Sequence, residues 1–137
     1  MGASFDMVPN SITISARDLE RLETLLDTSL TYAFPRERAR LGEVLAHASV
    51  APEGTVPRTI VTMGSTVICR VDTDRAMEVT LVYPWDADPD HGLVSVLSPL
   101  GISLLGLPVG SDVDWDDEDG LPHTLKVYEV LPGRADV

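Results

Sequence analysis

Apolar residues recur at two different periods along this chain, and the change of period divides it. Leu19, Leu22, Leu25 and Leu26 follow one another at three-to-four-residue spacing among Arg17, Glu20, Arg21 and Glu23, the pattern of a helix with one buried face. The stretch from Ser11 to Leu26 reads as the start of that helix. Ser15 can cap it, Asp18 stands three positions on where a capping box carries an acid, and Ile14 can staple against Leu19. After the polar and aromatic break TSLTYAF, Pro35 suits a first helical turn, and Leu41, Val44, Leu45 and Ala48 make a second stripe. Two amphipathic helices joined by a short connection predict an antiparallel hairpin. At about 12 to 16 residues each, the helices would be roughly 18 to 24 Å long.

The segment SVAPEGTVP, with Pro52, Gly54 and Pro57, breaks this periodicity. It predicts a linker over 51–58 between an N-terminal helical hairpin (1–50) and a second module (59–137). From there the period is two: Thr66, Ile68 and Arg70 alternate with Val67, Cys69 and Val71, and Met77, Val79, Leu81 and Tyr83 alternate with Glu78, Thr80 and Val82. Leu93 to Leu97 reads as a further short strand, and Pro99 to Leu105 as a two-turn helix ended by Gly106. Val113 to Trp115 should face Thr124 to Val130 across the Asp119-Gly120 turn. The expected fold class is α+β, a short helical hairpin followed by a mostly antiparallel sheet with one short helix.

The chain is 44% hydrophobic and 23% charged, the balance of a folded globular protein. Its net charge of −12 is unevenly spread: residues 1–57 carry eight acids against five arginines, and residues 58–137 carry fourteen acids against five bases. So acidic a surface repels phosphate backbones and anionic lipid, which argues against direct contact with nucleic acid or a membrane face. The single cysteine, Cys69, rules out an internal disulfide and falls at a core-facing position. No run approaches the roughly 20 apolar residues of a membrane span. The N-terminal stretch MGASFDMVPN lacks the charged start and apolar core of a signal peptide, so a cytoplasmic protein is expected.

Candidate chemistry is sparse. His47, His91 and His123 fall in different predicted elements without metal-ligand spacing to one another or to Cys69. Gly101, Gly106 and Gly110 read as helix-end and turn glycines, not as a phosphate loop. The run Asp112, Asp114, Asp116, Asp117, Glu118 and Asp119 lacks the glycine and glutamate that a calcium loop requires, and reads as a solvated hairpin end. Asp27 and Glu37, at the tip of the helical hairpin, are the carboxylates that could present a magnesium ion to another protein's active site, although the helix dipole alone accounts for Glu37. Arg17, Arg21, Arg36, Arg38 and Arg40 form a basic fringe typical of salt-bridged helix faces. No hydroxyl or thiol stands beside a base, so neither an enzyme nor a cofactor is expected.

One stretch is more specific. VLSPLG followed by ISLLGLPVGSDVDW resembles the C-terminal module of the Gre transcript-cleavage factors, with Ser98, Pro99, Leu104, Leu105 and Gly106 at the positions of their Ser-Pro turn and Leu-Leu-Gly helix end. VTMGSTVICR at Val61 to Arg70, LVYP at Leu81 to Pro84, and PLG followed by LLGL at Pro99 to Leu107 are closer still to the Rnk-type members of that family. The start ISARDLERLETLL extends the resemblance to the first module.

The resemblance implies a coiled-coil hairpin and a C-terminal module similar to FK506-binding proteins. It also implies a partner, RNA polymerase, met at the entrance of the secondary channel; the expected contacts are Ser98, Pro99, Leu100, Leu104 and Gly106, with core an equal reading of Leu100 and Leu104, and a monomer is expected. Cleavage factors carry two acids at the tip of a long hairpin, whereas here the hairpin is short and TSLTYAFP holds no acid. Competition with longer channel factors, without transcript cleavage, is therefore the expected mode. Gly101-Ile102-Ser103 also lacks the arginine that often precedes the Leu-Leu-Gly end. Two other functions are compatible with the family: a peptide-binding or prolyl isomerase module, which the few aromatics Tyr83, Trp85, Trp115 and Tyr128 serve poorly, and a direct effector of nucleoside diphosphate kinase.

Overall fold

The structure, a computed structural model, describes residues 12–131. The stretch MGASFDMVPN and Ser11 lie outside the described residues. The first helix, α1 (Ala16–Leu26), begins where the backbone of Ser15 is extended and its Oγ accepts the Asp18 amide at 3.0 Å, satisfying one of the amides that a helix start leaves without a partner. Leu22 and Leu25 are its buried face. Beyond its end the chain makes a 3-10 turn over Ser29–Ala33 and enters α2 (Pro35–His47) on the proline. The last carbonyls of α1 are capped from this turn and from α2: Thr28 Oγ1 donates to Leu25 O at 2.7 Å, and Thr31 Oγ1 and Arg38 Nε donate to Leu26 O at 3.2 and 3.1 Å. The helices hold 11 and 13 residues, about 17 and 20 Å at 1.5 Å per residue.

Two stretches depart from the sequence expectation. Thr13–Ser15, read as part of the helix start, is a strand (β1), and Ser49–Ala51, read as part of the break, is its parallel partner (β2). Three-residue strands carry no usable alternation, so only the tertiary pairing defines them. The larger sheet contains β3 (Thr66–Val71), β4 (Met77–Val82), β5 (Leu93–Ser95), β6 (Asp112–Asp116) and β7 (Pro122–Leu131) in the order β5-β4-β3-β7-β6. The β3–β4, β3–β7 and β6–β7 pairs are antiparallel, whereas β4–β5 is parallel. The expected facing of β6 and β7 holds, with Val113 opposite Leu125.

Inside this mixed α+β fold one buried cluster runs from Ile14, Leu22, Leu25, Leu41 and Leu45 of the N-terminal half to Val61, Val67, Leu81, Leu104 and Leu125 of the sheet half. Cys69 belongs to it, and burial pushes its thiol up to about 11. The short helix α3 (Pro99–Leu104) buries Pro99, Gly101, Ile102 and Leu104. A side chain at Gly101 would collide with the Ser95 carbonyl oxygen. Gly106 has φ +81°, and a side chain there would run into Ile12 Cγ2, so only glycine fits the left-handed backbone and the close approach together. The Thr13 amide donates to Gly106 O at 3.2 Å, and the Gly106 amide donates to Val61 O at 2.9 Å. The two halves of the chain are joined backbone to backbone at this point.

Candidate partner-docking groove

A groove of about 300 Å³ opens where the helix connection, α3 and two turns of the sheet half converge. Phe34 and Glu37 contribute from the start of α2, Pro84 and Ala87 from the turn after β4, Ser95, Leu97, Ser98 and Pro99 from the approach to α3, and Glu118 from the β6–β7 turn. Short hydrogen bonds fix the Ser95–Pro99 wall: Ser98 Oγ donates to Ser95 O at 2.7 Å and accepts the Gly101 amide at 3.1 Å, and Ser95 Oγ accepts the Leu97 amide at 2.9 Å. Pro99 occupies the first helical position, where a missing amide costs nothing. On either side of Pro84 in the chain, Tyr83 and Trp85 stack with centroids 5.2 Å apart and planes 4° apart. Phe34, 45% exposed, is the aromatic residue of the lining, and Glu37 and Glu118 are its two carboxylates.

Tyr83 is anchored on the inner side. Burial raises its hydroxyl pKa, the Asp18 charge adds to that, and Arg21 and Arg17 oppose it. Asp18 is raised by burial as well, against the lowering effect of the Met63 amide that donates to its Oδ2 at 3.2 Å.

Of the residues expected to meet a partner, Ser98 and Pro99 line the groove, and Leu100 is half-buried against the core. Leu104 is fully buried and Gly106 forms the internal seam, so both act from within the fold and offer a partner no surface. The tip carboxylates are separated in role: Asp27 is exposed at the C-cap of α1, whereas Glu37 is half-buried and turned into the groove. Phe34 and Ala87 carry no sequence signal of a site, and Glu118 reads from sequence only as part of a solvated hairpin end. The LVYP tetrapeptide does lead to Pro84, but the others meet it only through the tertiary fold.

The three histidines stand in different parts of the chain, as expected, yet His123 has close partners that spacing did not reveal. Its Nδ1 lies 2.6 Å from Asp72 Oδ2 and its Nε2 2.8 Å from Asp117 Oδ2. The Trp115 ring stacks on the imidazole at 4.9 Å. Asp72 Oδ1 also accepts the Thr124 amide at 2.9 Å, and Asp117 Oδ1 accepts the Asp119 and Leu121 amides at 2.9 and 3.0 Å. Hydrogen bonds to Asp72 and then Asp117 raise the His123 pKa, and both carboxyls are lowered, chiefly by the bond to His123. Part of the basic fringe is used here too: Arg36 Nη1 donates to Glu118 O at 2.9 Å and Arg40 Nη1 to Asp116 O at 3.5 Å. The acidic hairpin end is thus held to α2 on one side and to the β3–β4 turn on the other. The β3–β7 register, in which Val71 pairs with Leu125, sets Asp72 opposite Thr124, the neighbour of His123.

These features define a helical pair seated on a curled sheet with a surface groove at their junction. Residues 56–132 match the family model described as the C-terminal part of transcription elongation factor GreA/GreB, and residues 10–50 match the Rnk N-terminus. The chain belongs to the GreA/GreB family of transcription factors, as a member that carries the Rnk N-terminus. The regulator of nucleoside diphosphate kinase of Escherichia coli strain K12 is 34% identical over 121 residues, 88% of each chain. Transcription elongation factor GreA of Nautilia profundicola is 40% identical over 96 residues, 69% of this chain and 57% of the relative. Among solved structures, the GreA/GreB elongation factor from Nitrosomonas europaea superimposes with a TM-score of 0.70 at 38% identity, covering 88% of this chain and 98% of that one. Among the described residues, no helix is long and apolar enough to cross a membrane.

Proposed function

We propose that this chain is a non-catalytic, cytoplasmic regulator that docks as a monomer on RNA polymerase at the rim of the secondary channel. There it competes with longer Gre-type factors and leaves transcript cleavage unstimulated. The docking surface is the groove together with Ser98, Pro99 and Leu100. Leu104 and Gly106 support that surface from beneath. As expected from the sequence, the proposal divides the chain into a helical module over 1–50, a linker over 51–58, and a module over 59–137 related in plan to FK506-binding proteins.

The observation that carries this proposal is the state of the helix connection. The helices span only about 17 and 20 Å, and Glu37 is turned into the groove beside Ser98 and Pro99. Two carboxylates must stand free on one surface to hold a metal ion for another protein's active centre. The exposed side chains of the connection include Leu30, Tyr32 and Phe34, which are apolar or aromatic. The net charge of −12 favours a protein partner over a phosphate backbone.

The test is a pull-down of core polymerase, repeated with a Gre cleavage factor as competitor and with stalled complexes as a cleavage readout. Expected are binding lost to the competitor, no cleavage, and binding weakened at least about tenfold by Ala87→Trp, which fills the groove from an exposed position. No binding to polymerase would overturn the proposal, and stimulated cleavage would overturn its competitive mode.

A further inference from the structure

We propose that Asp72, His123 and Asp117 form a pH-operated latch on the β6–β7 hairpin, closed when both ring nitrogens of His123 carry a proton and released when one is lost. The latch sets the position of the groove wall at Glu118. It does not depend on the identity of the partner.

Each ring nitrogen of His123 faces a carboxylate oxygen, at 2.6 and 2.8 Å. An ionised carboxylate can only accept, so both nitrogens must donate, and only the doubly protonated imidazolium does that. The neutral ring has one N–H and would set a lone pair against one of the two carboxylates. Trp115 stacks on one face of the ring and limits how far it can tilt away. Neither carboxylate is free to follow it. Asp72 is tied by the Thr124 amide and Asp117 by the Asp119 and Leu121 amides.

The charged groups that face the ring are Asp72 from the β3–β4 turn and Asp117 from the β6–β7 turn. Trp115 faces it from β6 and is neutral. From α2, Arg36 and Arg40 reach the same hairpin at the backbone carbonyls of Glu118 and Asp116 and not at the ring. The side chains of His123, Asp117 and Asp72 are 24%, 19% and 41% exposed, so their protons exchange freely with solvent. Loss of one proton breaks a contact at the foot of the turn. Glu118, the next residue along, moves with it, and so does the carbonyl that Arg36 holds.

The experiment uses the full chain alone, so its outcome is independent of polymerase binding. The ring signals of His123 and the backbone amide signals of Glu118, Asp119 and Leu121 are followed by NMR upward from about pH 5. Expected is a His123 midpoint above the ordinary 6.5, hairpin amides that shift with that same midpoint, and loss of the coupled shift in His123→Gln. Asp72→Asn serves as a second variant whose fold is retained: asparagine tolerates the positive φ of 56° at this position and can still accept the Thr124 amide. It should move the His123 midpoint downward. A His123 midpoint at or below 6.5, or hairpin amides indifferent to it, would overturn the latch.

Discussion

Two contacts tie distant parts of this chain together, and they are built from opposite materials. At the Gly106 seam, backbone meets backbone in a dry interior, with Thr13 donating to Gly106 O and Gly106 donating to Val61 O. At His123, charge meets charge at the surface, with about a quarter of the side chain exposed. The seam has no group that titrates and no room to adjust, since a close approach without a side chain permits one geometry. The latch has three groups that titrate and a hairpin able to move. Difference in function follows: the seam holds the chain just beyond α3 in a fixed place, and the latch governs one wall of the groove.

Breaking the seam should therefore cost far more than opening the latch. Gly106→Val sets a branched side chain at φ +81° against Ile12 and should destabilise the fold by about 4 kcal/mol, read as a lowered urea midpoint. Leu104→Ala removes a fully buried side chain from the same helix, and a loss of about 3 kcal/mol is expected by the same measurement. Ser98→Ala removes the α3 cap at about 1 kcal/mol, and its larger effect should fall on binding, because the Ser95–Pro99 wall loosens.

On the latch side the expected signature is a pH profile. His123 has a raised pKa in the folded chain, so its contribution is fully present below 6.5 and is lost as pH rises through the folded value. Asp72 and Asp117 are lowered, so theirs is present above 3.8 and is lost as pH falls through their folded values. Stability from the latch should thus be greatest between 3.8 and 6.5, and thermal unfolding of His123→Gln should lack the decline on the alkaline side. Smallest of all, Arg36→Ala removes one exposed bond to Glu118 O and should cost about 0.5 kcal/mol or less. Its effect on the hairpin amide signals should nevertheless be visible by NMR.

Much of the fold is legible in local pattern. The leucine stripe of α1, the Ser15 and Ser98 caps, Pro35 and Pro99 at first helical positions, and the alternation of β3 and β4 all follow from interactions within a few residues. Leu104 reads equally as a partner contact or as core, and Gly106 as a helix end; Leu104 is fully buried, and Ile12 and Thr13, far away in sequence, approach Gly106 closely. Among the histidines, spacing was silent about His123 because Asp72 is 51 residues away. The register shift between Ile68 and Cys69 also defeats a simple count along paired strands.

The sequence by itself determined the period of each element, the caps that start the helices, the acidity of the sheet half and membership of the family, because each is written in residue type and local spacing. Only the tertiary structure decided that β1 would pair with β2, that Glu37 would turn into a groove with Ser98 and Glu118, and that one histidine would stand between two carboxylates. Those outcomes rest on contacts between residues far apart in the chain. Their geometry is fixed by how the helices settle on the sheet, and no local pattern encodes it.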